Sequence, residues 1–198
     1  MIILISVAIV LMAVLLLTLK NNFTSSSKKG IAIFIKVADS DMSMSRRFFT
    51  FARLTKYLNE FTVKNTNIKL VKTVSCDRIL FYVDQSETSE PNLVLEVQKL
   101  SQYIEKLVSN DFNGIDYTIG CSYGQIMLAQ FNRSSVDIFC DSMNCAARMA
   151  YLENSSFKGK TRMCFAENET QLSELQNLES VLKVDVKGKG VKIVYRIP

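Results

Sequence analysis

The chain has 198 residues, 48% of them hydrophobic and 22% charged, with a formal net charge of +5 and no histidine. That length holds one medium domain with a real core and little besides, and the absence of histidine excludes His-based general bases, His triads and His metal ligands, leaving carboxylates, lysine and cysteine as the available chemistry. The modest basic excess, without an aromatic strand of the RNP type, leaves nucleic acid outside the expected partners.

Residues 2–19 are apolar apart from Ser6 and Thr18, a run long enough to cross a bilayer as a helix. No charged residue precedes it and no A-x-A site follows it, so residues 1–20 are read as an uncleaved transmembrane anchor rather than a signal peptide. Lys20, Lys28 and Lys29 come just after the run, which puts the C-terminal domain of a single-pass membrane protein in the cytoplasm. Residues 21–29, with three consecutive serines, read as a polar tether, and residues 30–198 as the domain.

Within that domain, residues 31–37 form a β-like run and residues 38–41 a turn. Helical spacing over 44–61 aligns Phe48, Phe51, Leu54, Leu58 and Phe61. Strands are predicted at 68–74 and 79–83 around a hairpin turn at 75–78, and a second helix over 93–108 carries a stripe of Leu93, Val97, Leu100, Ile104 and Leu107. Residues 115–120 and 125–131 read as a further strand pair. A strand near 162–165, a short helix over 170–177 and a final strand pair at 182–186 and 192–197 complete the pattern. The order β-α-β-β-α-β with C-terminal extensions is an α+β, ferredoxin-like arrangement. The five cysteines, at 76, 121, 140, 145 and 164, form no CxxC pair or zinc spacing and read as buried reduced thiols.

Residues 136–149 hold the most informative stretch, an apolar strand-like start followed by a helix. Asn144 and Arg148 are four apart and so share one helix face. Ala146 and Ala147 keep the helix slim enough to approach another backbone or a ligand closely. An amide beside a guanidinium on such a face suits an anionic oxygen, although spacing alone also fits an amphipathic helix whose Arg is simply solvated.

The run D-I-F-C-D-S-M-N-C-A-A-R-M resembles the signature of the class III nucleotide cyclases, D-x-[FW]-G-D-x-V-N-x-A-A-R-M, matching at Asp137, Phe139, Asp141, Asn144, Ala146, Ala147, Arg148 and Met149 and departing at Cys140. Residues 119–124 (I-G-C-S-Y-G) are similar to the family's I-G-I-x-x-G strand and turn. Residues 186–190 (V-K-G-K-G), followed by Tyr195, resemble its closing strand pair. Three motifs stand in the family's order across roughly residues 30–198.

The resemblance implies a class III cyclase fold working as a homodimer, or as a heterodimer with another cyclase domain, and converting a nucleoside triphosphate to a 3′,5′-cyclic nucleotide and pyrophosphate. It implies that Asn144 orients the ribose, Arg148 stabilises charge on the α-phosphate and the bridging oxygen, Lys189 grips the terminal phosphates, and Asp137 receives the exocyclic amine of adenine, favouring ATP. Lys72, displaced by one position, stands for the base-reading lysine, and a bulge would restore its place. The family's cofactors are two Mg2+ or Mn2+ ions held by two carboxylates. Asp77 stands where the second of these falls, but Lys36, counted from Phe34, occupies the first, and a fixed cation repels magnesium. Asp39 and Asp41 are the candidates to replace it. The clean half of the site is therefore the non-metal half. The alternative reading is a degenerate cyclase-like domain that binds nucleotide or regulates a partner without turnover. Cysteine at 76 and 140, where the family carries glycine, would be strained if either position required positive φ.

Overall fold

The computed structural model describes residues 9–12, 24–38, 43–74, 77–87, 90–112, 115–132, 135–152, 160–165, 178 and 180–197. The sheet is built around β1 (Thr24–Ala38), whose residues 31–35 are buried on both faces, which explains their unbroken apolar run. Ile31, Ile33 and Ile35 point to one side, where α1 (Met44–Lys64) and α2 (Glu90–Asp111) cover the sheet with Phe51, Leu54, Leu58, Leu93, Val97, Leu100 and Ile104. Ala32 and Phe34 point to the other side, toward Met143, Ala146 and Ala150 of α3 (Asp141–Ala150). Each such large aliphatic or aromatic side chain contributes roughly 1.5–3 kcal/mol by leaving water.

The remaining strands are β2 (Ile68–Val74), β3 (Arg78–Asp84), β4 (Asp116–Asn132), β5 (Ser135–Ile138), β6 (Thr161–Phe165), β7 (Ser180–Val186) and β8 (Gly190–Ile197). They join β1 in one eight-stranded sheet ordered β2-β3-β1-β4-β6-β8-β7, with β5 paired to β4. The first four positions form the antiparallel ferredoxin-like core. β6 runs parallel to β4, and β8 and β7 follow antiparallel.

Four expectations are corrected. β1 starts at Thr24, so residues 24–29 of the expected tether are strand, paired with Gln130 back to Gln125; a polar sequence is admitted there because residues 25–29 lie at the sheet's wetter end, exposed or half-buried. β4 is one strand and not a strand pair, since Gly120 serves a close approach rather than a turn. A Cβ on Gly120 would stand 1.9 Å from the Ala146 carbonyl oxygen and 2.4 Å from the Ala150 nitrogen, where α3 crosses the strand. Phe48 is 56% exposed, because the first turn and a half of α1 overhangs the covered part of the sheet. Cys140 is only half-buried, its thiol being used at the start of α3, whereas Cys121, Cys145 and Cys164 are buried free thiols as expected.

Of the expected anchor, residues 9–12 are described; they are helical and exposed. Among the described residues no helix is long and apolar enough to cross a membrane. The turn with Asp39 and Asp41, the 170–177 helix, and the side chains of Lys72 and Cys76 lie outside the described residues.

Candidate functional site

α3 begins at Cys140, whose extended backbone (φ −161°, ψ 161°) needs no glycine and whose Sγ accepts a hydrogen bond from the Met143 N–H at 3.3 Å. Cysteine is therefore accommodated here without strain. Ser142 Oγ pins the same turn by donating to the Gln125 carbonyl at 2.9 Å. Asp141 lies in the first turn and Arg148 in the last, each favourable to the helix dipole. Asn144 is exposed and Arg148 half-buried on the shared face.

The β7–β8 turn is laid along this helix. Gly188 (φ +72°) and Gly190 (φ +68°) make the left-handed bends that bring it there. Arg148 Nη1 donates to the Lys187 carbonyl, and Lys189 Nζ lies 2.5 Å from Asp141 Oδ1. Lys189, far from Asn144 and Arg148 in sequence, thus joins their surface. Asp137 stands on β5 opposite Ala129, its Oδ1 accepting from the Ile138 N–H at 2.8 Å.

A cavity of about 520 Å³ opens at the start of α3, with Met127, Ile138, Phe139 and Met143 as its apolar lining and Asp141 and Asn144 among its polar groups. That lies within the roughly 300–1,000 Å³ of small-molecule sites, and the lining mixes apolar side chains with the polar groups of Gln125, Asp141, Ser142 and Asn144. Arg148, Lys189 and Asp137 are not part of its lining; Lys189 meets it through Asp141.

At the far end of β1 the expected metal residues come together differently. The Val37 N–H donates to the Asp77 carbonyl at 2.7 Å, and Lys36 sits directly opposite Arg78. Asp77 Oδ1 lies 3.3 Å from Arg78 Nε but out of alignment, and neither atom has a hydrogen-bond partner among the described residues. Lys36 Nζ stands 4.5 Å over the ring of Tyr151. One carboxylate paired with Arg78, itself opposite Lys36, is not a donor set for two divalent ions, and among the described residues no three His, Cys, Asp or Glu side chains group to hold one. The bulge in β2 falls between Leu70 and Lys72, on the side of Lys72 away from Asp77, so it does not absorb the extra residue between them.

Sequence reasoning missed three supports of α3. Arg162 on β6 is buried and donates to the carbonyls of Met149, at 3.2 Å, and Leu152, closing the C-terminal end of the helix; a lone arginine in the apolar run 161–165 was the available signal. Tyr151, three residues after Arg148, receives Lys36. Cys145 and Cys164 pack together between α3 and β6. The hydrogen bond with Cys164, helped by Lys192 and Lys189, pulls the Cys145 thiol down to about 7, while the same pairing and burial push Cys164 up.

No family model matches the chain, and no curated protein matches it in sequence. Solved structures do match in fold. The catalytic core of a rhodopsin-guanylyl cyclase with converted specificity, in complex with ATPαS, superposes with a TM-score of 0.65 at 16% identity, over 87% of this chain and 97% of that one. The adenylyl cyclase CyaB from P. aeruginosa gives 0.63 at 12% identity, over 88% and 96%. A dimeric guanylyl cyclase domain from the aquatic fungus Blastocladiella emersonii gives 0.62 at 14%, over 86% and 96%. Agreement over nearly their whole length, at such low identity, is agreement of fold.

Proposed function

We propose that this chain is a class III cyclase-type domain that binds a nucleoside triphosphate, ATP in preference, and supplies the substrate-orienting half of a cyclase site completed by a second domain. The observation that carries this reading is the convergence of Asn144, Arg148 and Lys189 on one face of α3, beside a cavity of small-molecule size.

In this reading the base enters the cavity against Phe139 and Met143 and reaches past its lining to Asp137, which accepts an exocyclic amine. Asn144 holds the ribose. The 3′-oxygen attacks the α-phosphorus and gives its proton to solvent water, the bond from the α-phosphorus to the bridging oxygen breaks, and pyrophosphate departs with that bond's electron pair. Arg148 offers its planar fork to the charge growing on the α-phosphoryl and bridging oxygens, while Lys189 exchanges Asp141 for the terminal phosphates. The carboxylates that carry Mg2+ or Mn2+ in such enzymes do not fit the described residues of this chain, and we assign them to the partner domain. A single-pass anchor at residues 2–19, with the domain in the cytoplasm, fits the apolar run and the lysines after it.

The test is cyclic nucleotide production from ATP, GTP, CTP and UTP by the full chain, alone and mixed with a metal-competent cyclase domain. Product is expected only in the mixture, from ATP first, and Arg148→Ala is expected to lower it by about 10²–10³. Product that survives Arg148→Ala would sink the assignment. The second reading, nucleotide binding without turnover, is favoured by Lys36 and predicts no product in either sample.

A further inference from the structure

Lys36 and Arg78 are direct cross-strand neighbours and so project from the same face of the sheet, with Asp77 beside them. That face is the one covered by α3, because Phe34, two residues before Lys36, packs its ring 6.0 Å from Tyr151 and Lys36 stacks on the same ring. The ring fixes the ammonium without using its hydrogen-bond donors. Among the described residues Lys36 donates no hydrogen bond, and Arg78 Nε, ion-paired with Asp77 Oδ1 at 3.3 Å, is buried and makes no aligned hydrogen bond. Among the described residues here, Lys36 and Arg78 set two cations against the one carboxylate of Asp77. N–H donors left without a hydrogen bond are what a phosphate oxygen satisfies.

We propose that this end of the sheet binds phosphate oxygens of a nucleoside triphosphate directly, Lys36 and Arg78 taking the place of a divalent cation, so that the chain holds nucleotide without metal. The proposal rests on the nucleotide-binding reading above. It assigns Lys36 a phosphate-binding role where that reading gave it none.

Calorimetric titration of the purified full chain with ATP, in excess EDTA and again with magnesium, tests it. Affinity is expected to be the same in both. Lys36→Met, which keeps the stem on Tyr151, is expected to weaken binding in EDTA by about tenfold or more, while Lys36→Arg retains it and shows that the fold tolerates change there. Lys36→Asp is expected to make binding depend on manganese. Binding that collapses in EDTA, or that is unchanged in Lys36→Met, overturns the proposal and leaves the nucleotide reading intact. No binding of ATP, GTP, CTP or UTP in either buffer overturns both.

Discussion

Lys189 Nζ lies 2.5 Å from Asp141 Oδ1, so the lysine of the β7–β8 turn is held by the first turn of the signature helix. Asp141 is 65% exposed, and an ion pair so open to water contributes no more than about 1 kcal/mol to stability. Asp141→Asn should therefore barely move the melting temperature. By releasing the ammonium it should tighten triphosphate binding, by up to about fivefold, as read by calorimetric titration.

Gly120 lets α3 touch the sheet. Gly120→Ala sets a methyl carbon 1.9 Å from the Ala146 oxygen, and since backbone rather than a flexible side chain is in the way, the helix has to lift. A loss of about 3 kcal/mol is expected from a urea unfolding midpoint. Nucleotide affinity should fall with it, because Asn144 and Arg148 ride on the displaced helix.

Arg162 holds the opposite end of that helix through the Met149 and Leu152 carbonyls. Arg162→Met strands these acceptors beside a buried site and is expected to cost about 2–4 kcal/mol by chemical denaturation.

The strands and helices of the core were legible because burial on two faces leaves unbroken apolar runs, as at 31–35, and burial on one face leaves a stripe, as along α2. The beginning of β1 was not, because residues 24–29 pair through their backbones while the polar side chains of residues 25–29 stay exposed or half-buried. Gly120 misled for a related reason: glycine marks a close approach as readily as a bend, and only the position of α3 separates the two. In the site, helical spacing put Asn144 and Arg148 on one face. Contacts across the chain, such as Lys189 with Asp141 or Lys36 with Tyr151, have no local period to betray them.

Acid should loosen the sheet at one identifiable place. Burial alone would push the Asp84 carboxyl up, but hydrogen bonds from Lys28 and Ser86 outweigh it and hold it below the ordinary range. A depressed carboxyl stabilises the fold above its unfolded value, near pH 4, and that contribution is lost as pH falls through the lower folded value. Asp84→Asn, which leaves Lys28 without its buried partner, is expected to lose about 2–4 kcal/mol at neutral pH. The stability curve of the variant should be flatter than that of the parent below about pH 4, as followed by circular dichroism.

The most direct measurement is titration of the purified full chain with ATP, set beside the Asn144→Ala and Arg148→Ala variants under identical conditions. Saturable binding by the parent, weakened in both variants while their melting temperatures hold, is the expected result. Binding that neither substitution alters, or no binding at all, would contradict a nucleotide site on the face of α3.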